Sequence, residues 1–77
     1  MNKVLFFAYL RDQLGRESLE MDAAGKTVAE LKAELIAAYR LDKMETVMTA
    51  INEEFSMNEE MIKDGDVIAF IPPVSGG

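Results

Sequence analysis

Apolar residues fall into short blocks along the chain, and the spacing within each block predicts its secondary structure. Residues 4–9 (VLFFAY) and 67–71 (VIAFI) are apolar throughout, which is typical of strands covered on both faces. Residues 18–22 (SLEMD) alternate apolar and acidic side chains, as a half-buried strand near a sheet edge does. Residues 47–52 (VMTAIN) predict a further strand, and residues 55–57 a brief pairing beside it. The blocks therefore predict a sheet of four or five short strands.

One segment has the periodicity of a helix. Thr27 and Glu30 have the spacing of a capping box, in which a hydroxyl and a carboxylate bind the first free N–H groups of a helix. Apolar side chains then recur at helical spacing at Val28, Leu31, Leu35 and either Ala38 or Tyr39, while Glu30, Lys32 and Glu34 take the outer face. This is the main helix of the chain.

The connecting segments carry turn signals. Residues 10–14 predict a short amphipathic turn that Gly15 ends in a left-handed conformation, and residues 41–46 predict a connector with a single helical turn. Asp64-Gly65-Asp66 predicts a tight reversal, since glycine supplies a positive φ.

The order strand, strand, helix, strand, strand predicts an α+β domain over residues 1–77. A right-handed crossover returns the last strand beside the first, parallel to it. The sheet is then mixed, with four or five strands and one main helix packed on one face. Pro72 and Pro73 end the last strand because neither has an N–H group for a ladder, so residues 72–77, here called the tail, extend beyond the sheet.

The composition limits the chemistry. Among the 77 residues there is no cysteine and no histidine, so thiolate metal sites, thiol nucleophiles and the commonest general base are excluded. We expect no metal site and no self-sufficient catalytic machinery. The adjacent pairs Glu53-Glu54 and Glu59-Glu60 are interpreted as solvated loop charge, because neighbouring residues seldom converge on one proton.

The net charge of −6 disfavours nucleic acid as a partner, and it leaves two interpretations open, steering toward a basic cleft on another protein and plain solubility. No segment approaches the roughly 20 apolar residues that a membrane helix needs. The start, MNKVLFFAYLRD, lacks the cleavage site of a secretory signal. We therefore expect a cytoplasmic protein.

Both faces of the central strands are apolar, which predicts an exposed patch. In residues 67–71, Ile68 and Phe70 point one way, and Val67, Ala69 and Ile71 point the other. One helix covers one face only, and exposed apolar patches usually mark interfaces. The alternative is that loops fold over the second face. The contacts predicted for the patch are Phe7, Phe55 and Ile71, and an exposed Arg11 is a candidate anchor for a partner.

The tail, IPPVSGG with Ile71 in front, predicts a working group at its tip. Pro72 and Pro73 stiffen the chain, and Val74 could anchor in a pocket. Ser75 is small, and Gly76 and Gly77 fit a channel too narrow for a β-carbon and leave an unhindered carboxylate. The alternative is an inert, frayed terminus.

The stretches VLFFAYLRD and DGDVIAFIPPVSGG resemble the family of molybdopterin synthase small subunits, which are ubiquitin-like β-grasp sulfur carriers. The resemblance covers essentially the whole chain. It implies that Gly77 is adenylated with ATP by a separate enzyme of the ubiquitin-E1 type and then converted to a thiocarboxylate. It further implies a heterotetramer with the large synthase subunit, which takes in the tail and passes the sulfur to cyclic pyranopterin monophosphate.

No cofactor is expected on the chain itself, since the activating enzyme uses the ATP. Three other functions stay open from the residues alone. These are a sulfur carrier for thiazole synthesis in the thiamine pathway, a protein modifier whose Gly77 joins a lysine, and a passive interaction module.

Overall fold

A mixed five-stranded sheet in the order β2-β1-β5-β3-β4 organises the molecule. The computed structural model describes residues 1–41 and 43–73. Within these ranges lie β1 (Asn2–Phe6), α1 (Tyr9–Leu14), β2 (Ser18–Met21), α2 (Val28–Tyr39), a 3₁₀ turn (Met44–Thr46), β3 (Met48–Ile51), β4 (Glu54–Ser56) and β5 (Val67–Ile71). The predicted α+β class, the mixed sheet of four or five strands and the single main helix are confirmed, and the number of strands is five.

The strand pairing agrees with the predicted crossover. β1 pairs antiparallel with β2 and parallel with β5, and β5 pairs antiparallel with β3. The brief pairing predicted after residue 54 is β4, which pairs antiparallel with β3 at the sheet edge. None of the helices in the described part of the chain is long and apolar enough to cross a membrane.

The core lies between α2 and one face of the sheet, the closed face. Val4 and Phe6 of β1 and Ile68 and Phe70 of β5 are buried there, and the rings of Phe6 and Phe70 stack with centroids 6.4 Å apart. The helix contributes Val28, Leu31 and Leu35, which are also buried. These positions are the alternate residues of each strand and the i, i+3, i+7 residues of the helix.

The start of α2 is satisfied both locally and by a distant segment. The predicted capping box is present: the Glu30 N–H donates to Thr27 Oγ1 at 3.2 Å, and the Thr27 N–H donates to Glu30 Oε1 at 2.8 Å. The next free amides, those of Val28 and Ala29, donate to carbonyls of the loop between β4 and β5. This loop therefore ties the helix to the sheet edge.

The prediction that Ala38 or Tyr39 continues the buried stripe of the helix is wrong, since both are exposed. Arg40 has a φ of 54°, so the backbone turns into the left-handed region one residue later. Leu41 and Met44, which follow this turn, fill the core in their place.

The prediction of a strand over residues 4–9 is wrong at its end. β1 stops at Phe6, because Ala8 has a φ of 54° and a ψ of −131° and turns the backbone out of the sheet. The carbonyls of Phe7 and Ala8 then accept N–H groups of the first turn of α1. Tyr9 therefore belongs to a helix, which ends as predicted at a left-handed Gly15 with a φ of 74°.

One polar residue is buried although the sequence did not predict it. Asn2 is 3% exposed, and its Nδ2 donates to the carbonyls of Lys63 and Asp66 at 2.8 and 3.0 Å. Its Oδ1 accepts the Ala23 N–H at 3.0 Å. The amide thus joins β1 to the turn before β5 and to the loop after β2.

Candidate functional site

The second face of the sheet, the open face, carries the candidate site. Strand pairing places Leu5 of β1 beside Ala69 of β5, Ala69 beside Ala50 of β3, and Ala50 beside Phe55 of β4. Neighbours in a ladder point to the same side, so one apolar row crosses four strands.

A groove of about 630 Å³ runs along this row, and we call it the open groove. Its lining residues are Leu5, Phe7, Ala50, Asn52, Glu53, Phe55, Val67, Ala69 and Ile71. The small side chains of Ala50 and Ala69 form its floor, and larger side chains rise at its sides. An apolar depression of this shape suits a ridge on a protein partner.

The structure brings together three of the four residues predicted from the sequence as interface contacts. Phe7, Phe55 and Ile71 all line the open groove. Phe55 is 75% exposed and Phe7 is 42% exposed, so loops within the described ranges do not cover this face as the alternative interpretation required. Arg11 is exposed on α1 and is not among the lining residues. A role in an interface stays a prediction for all four.

The tail leaves the sheet at one end of the open groove. Ile71, the last residue of β5, pairs with Met48 at the start of β3. Pro72 is buried and Pro73 is exposed. Val74, Ser75, Gly76 and Gly77 lie outside the described residues, so the predictions for these four stay predictions.

The other end of the open groove is polar. Asn52 holds the β3–β4 turn against β5: its N–H donates to the Val67 carbonyl at 2.8 Å, and the Val67 N–H donates to its Oδ1 at 2.9 Å. Its Nδ2 donates to Asp66 at 2.9 Å. The Lys63 N–H also binds the Asp66 carboxylate, and these two hydrogen bonds, that of Lys63 first, lower the pKa of Asp66 below its usual value.

Sequence reading missed the polar members of the groove. Asn52 and Glu53 lie between two strands as a two-residue turn, and that spacing could have placed Glu53 beside the apolar row. The residues described by the structure contain no group of three or more carboxylates close enough to hold a metal ion. Asp64 and Asp66 instead flank the predicted turn, with Gly65 at a φ of 88°.

Taken together, the sheet order, the single crossing helix and the tail that leaves beside an apolar groove define a small ubiquitin-like protein of the β-grasp class. Comparison with known proteins identifies the family within this class. The chain belongs to the ThiS family, which it matches over residues 4–77, and several curated relatives are molybdopterin synthase sulfur carrier subunits. The resemblance noted in the sequence is thereby confirmed.

Two of these relatives show how far the similarity extends. The chain is 41% identical to the molybdopterin synthase sulfur carrier subunit of Chlamydomonas reinhardtii, with 97% of this chain and 96% of the relative covered. It is 35% identical to that of Escherichia coli strain K12, with all of both chains covered.

Solved structures agree with the fold. A chain of the complex of subunits 1 and 2 of the molybdopterin-converting factor from Helicobacter pylori has a TM-score of 0.70 at 29% identity, covering 99% of this chain and 97% of that one. The small archaeal modifier protein 1 of Methanosarcina acetivorans has a TM-score of 0.79 at 27% identity, covering 99% and 95%.

Proposed function

We propose that this chain is the sulfur carrier subunit of a molybdopterin synthase and that the carboxylate of Gly77 holds the sulfur. The observation that carries the proposal is the pairing of family membership with an exposed apolar groove beside the origin of the tail. A carrier must be held by its partners while its tail reaches into their active sites, and a groove beside the start of the tail supports such an arrangement.

The chemistry proceeds in two steps on the tail. An oxygen of the Gly77 carboxylate attacks the α-phosphorus of ATP, and pyrophosphate leaves, so an acyl adenylate forms. A sulfide nucleophile then attacks the acyl carbon, and AMP leaves with the electron pair of the broken C–O bond. The product is a thiocarboxylate, whose sulfur forms a C–S bond to cyclic pyranopterin monophosphate in the dithiolene-forming step. Water then attacks the acyl carbon of Gly77, the bond between that carbon and sulfur breaks, and the Gly77 carboxylate is regenerated.

The residue inventory supports a carrier whose catalysis resides in its partners. Without cysteine, the chain has no thiol on which to hold sulfur, so the terminal carboxylate is the available attachment point. Without histidine, the acid–base steps fall to an E1-like activating enzyme and to the large synthase subunit. We place the cycle in the cytoplasm, where the ATP for activation is available.

We assign the open groove to docking on the large subunit, in a heterotetramer of two small and two large subunits. Phe7, Phe55 and Ile71 line the groove and supply the apolar contact. Aromatic side chains in such positions often contribute most of the binding energy of an interface.

Mass spectrometry of the intact chain tests the tail chemistry. After incubation with the activating enzyme, ATP and sulfide, the mass should rise by the sulfur-for-oxygen difference, and the change should map to Gly77. A variant with one alanine added after Gly77 is the matched control, because it folds alike but has no glycine carboxylate to activate. An unmodified wild-type chain, under conditions that modify a known carrier, would contradict the proposal.

Co-purification with the large subunit tests the docking face. Phe55→Asp and Ile71→Asp should each abolish assembly, because a carboxylate would be buried in an apolar contact. Ile36→Asp is the control, since Ile36 is a partly exposed apolar residue on α2, away from the groove. Normal assembly of both groove variants would show that the large subunit docks elsewhere.

A protein-modifier function is the second candidate, favoured by the similarity to the small archaeal modifier protein 1. It predicts that Gly77 becomes joined to lysines of other proteins. Anti-tag blots of cell extract would then show conjugates that vanish when Gly76 and Gly77 are deleted. If the deletion changes nothing in any assay, the passive interaction module is the better description. A thiazole carrier is distinguished by the acceptor that takes its sulfur.

A further inference from the structure

Glu53 occupies a backbone position that glycine would fill more easily. Asn52 and Glu53 form the two-residue turn between β3 and β4, with φ values of 51° and 71°. Turns of this kind favour Asn followed by Gly, because a β-carbon is strained in the left-handed region. Asn52 follows this preference and Glu53 does not. A glutamate in a strained turn conformation is therefore a candidate for a functional role of its side chain.

Glu53 lines the open groove at the end opposite the tail. The hydrogen bonds between Asn52 and Val67 fix the turn against the first residue of β5. The tail begins after Ile71, four residues along the same strand, which corresponds to about 13 Å. The turn that carries Glu53 is therefore fixed about 13 Å from the start of the tail, beside the apolar row.

Most of the net negative charge of the chain lies in the segment that begins at this turn. Residues 52–66 contain six carboxylates and one lysine, so they hold −5 of the net charge of −6. Glu53 forms no ion pair within the described residues, where the two salt bridges join Met1 to Asp64 and Lys26 to Glu34. An unpaired carboxylate in an acidic region attracts a cation from another molecule.

We propose that Glu53 is a recognition residue that pairs with an arginine or lysine on the protein covering the open groove. The inference rests on the proposed function, because it takes the large synthase subunit as that protein. The occupant is then an apolar ridge with a basic side chain at the end distant from the tail. Covering the groove excludes water from the pair, so the charge sets the docking register and speeds association.

Three variants separate strain from recognition. Glu53→Gly removes both the strain and the charge, so the melting temperature should rise by about 4 °C or more, while affinity for the large subunit falls about tenfold. Glu53→Gln keeps the β-carbon and removes the charge, so the melting temperature stays near that of the wild type while affinity falls by a similar factor. Glu45→Gln, an exposed charge away from the groove, should change neither.

The measurement is a titration of the purified large subunit at low and at physiological ionic strength, with thermal unfolding of each variant alone. The wild type should lose more affinity with added salt than Glu53→Gln does, because screening weakens charge pairs. Equal affinity and equal salt dependence for the wild type and Glu53→Gln would overturn the role of Glu53. A wild type that does not bind the large subunit at all would instead overturn the proposed function.

Discussion

The two faces of the sheet are built from the same strands and differ in what covers them. Within β5, Ile68 and Phe70 are fully buried under α2, whereas Val67, Ala69 and Ile71 line an open groove. Both sets are apolar, so hydrophobicity alone does not separate them. The difference teaches that an apolar strand residue stabilises the fold on one face and is available for a partner on the other.

The sharpest way to break this comparison is to truncate one phenylalanine on each face. Phe70→Ala should lower the free energy of unfolding by about 3–5 kcal/mol, because it leaves a cavity in the core. Phe55→Ala should change it by about 0.5 kcal/mol or less, since Phe55 is largely exposed. Urea denaturation of the two variants measures both values. Similar losses would mean that the open face also holds the fold together.

A second comparison sets the buried side chain amide of Asn2, on the closed face, against an exposed amide. Asn2→Ala should cost about 1–3 kcal/mol, because two carbonyls and one N–H lose their partner in a buried place. Asn58→Ala is the matched control, since Asn58 is exposed and should cost about 0.5 kcal/mol or less. Equal costs in denaturant titrations would argue that burial of Asn2 adds nothing.

The helix that covers the closed face depends on its cap. Thr27→Ala should reduce stability by about 1 kcal/mol, because the Glu30 N–H loses its acceptor. Thr27→Ser keeps the hydroxyl and should restore most of the loss. Thermal unfolding followed by circular dichroism measures the stability of both variants. A serine variant as unstable as the alanine one would show that the methyl group of Thr27, not its hydroxyl, is the stabilising part.

The smallest expected effect concerns pH at the polar end of the open groove. Hydrogen bonds from Lys63 and Asn52 lower the pKa of Asp66, so the folded state favours its charged form. Its stabilising contribution is present above the ordinary carboxyl pKa of about 3.9 and disappears as pH falls through the lower folded value.

Asp66→Asn therefore should be less stable than the wild type at neutral pH, with the gap closing below about pH 4. Unfolding in urea at several pH values tests this. A gap that is constant with pH would rule out the charge of Asp66 as the cause.

Local patterns were sufficient for several features. The capping box at Thr27, the left-handed Gly15 and the strand of residues 67–71 were all predicted, because each depends on neighbours within about one turn or strand. The predicted strand over residues 4–9 failed at Ala8, because an alanine gives no sequence signal for the positive φ that it adopts there, as a glycine or asparagine would.

By itself the sequence determined the order of the elements, the parallel return of β5 beside β1, and the alternation that makes both strand faces apolar. The order and the alternation follow from the spacing of apolar residues along the chain, and the parallel return follows from the right-handed crossover that this order requires. The sequence also grouped Phe7, Phe55 and Ile71 in one patch, but only the tertiary structure decided that Arg11 is not among the lining residues of the groove, that Glu53 stands at its far end, and that Asn2 is buried. Such contacts depend on the register between distant strands, and register is set by how all the layers pack together.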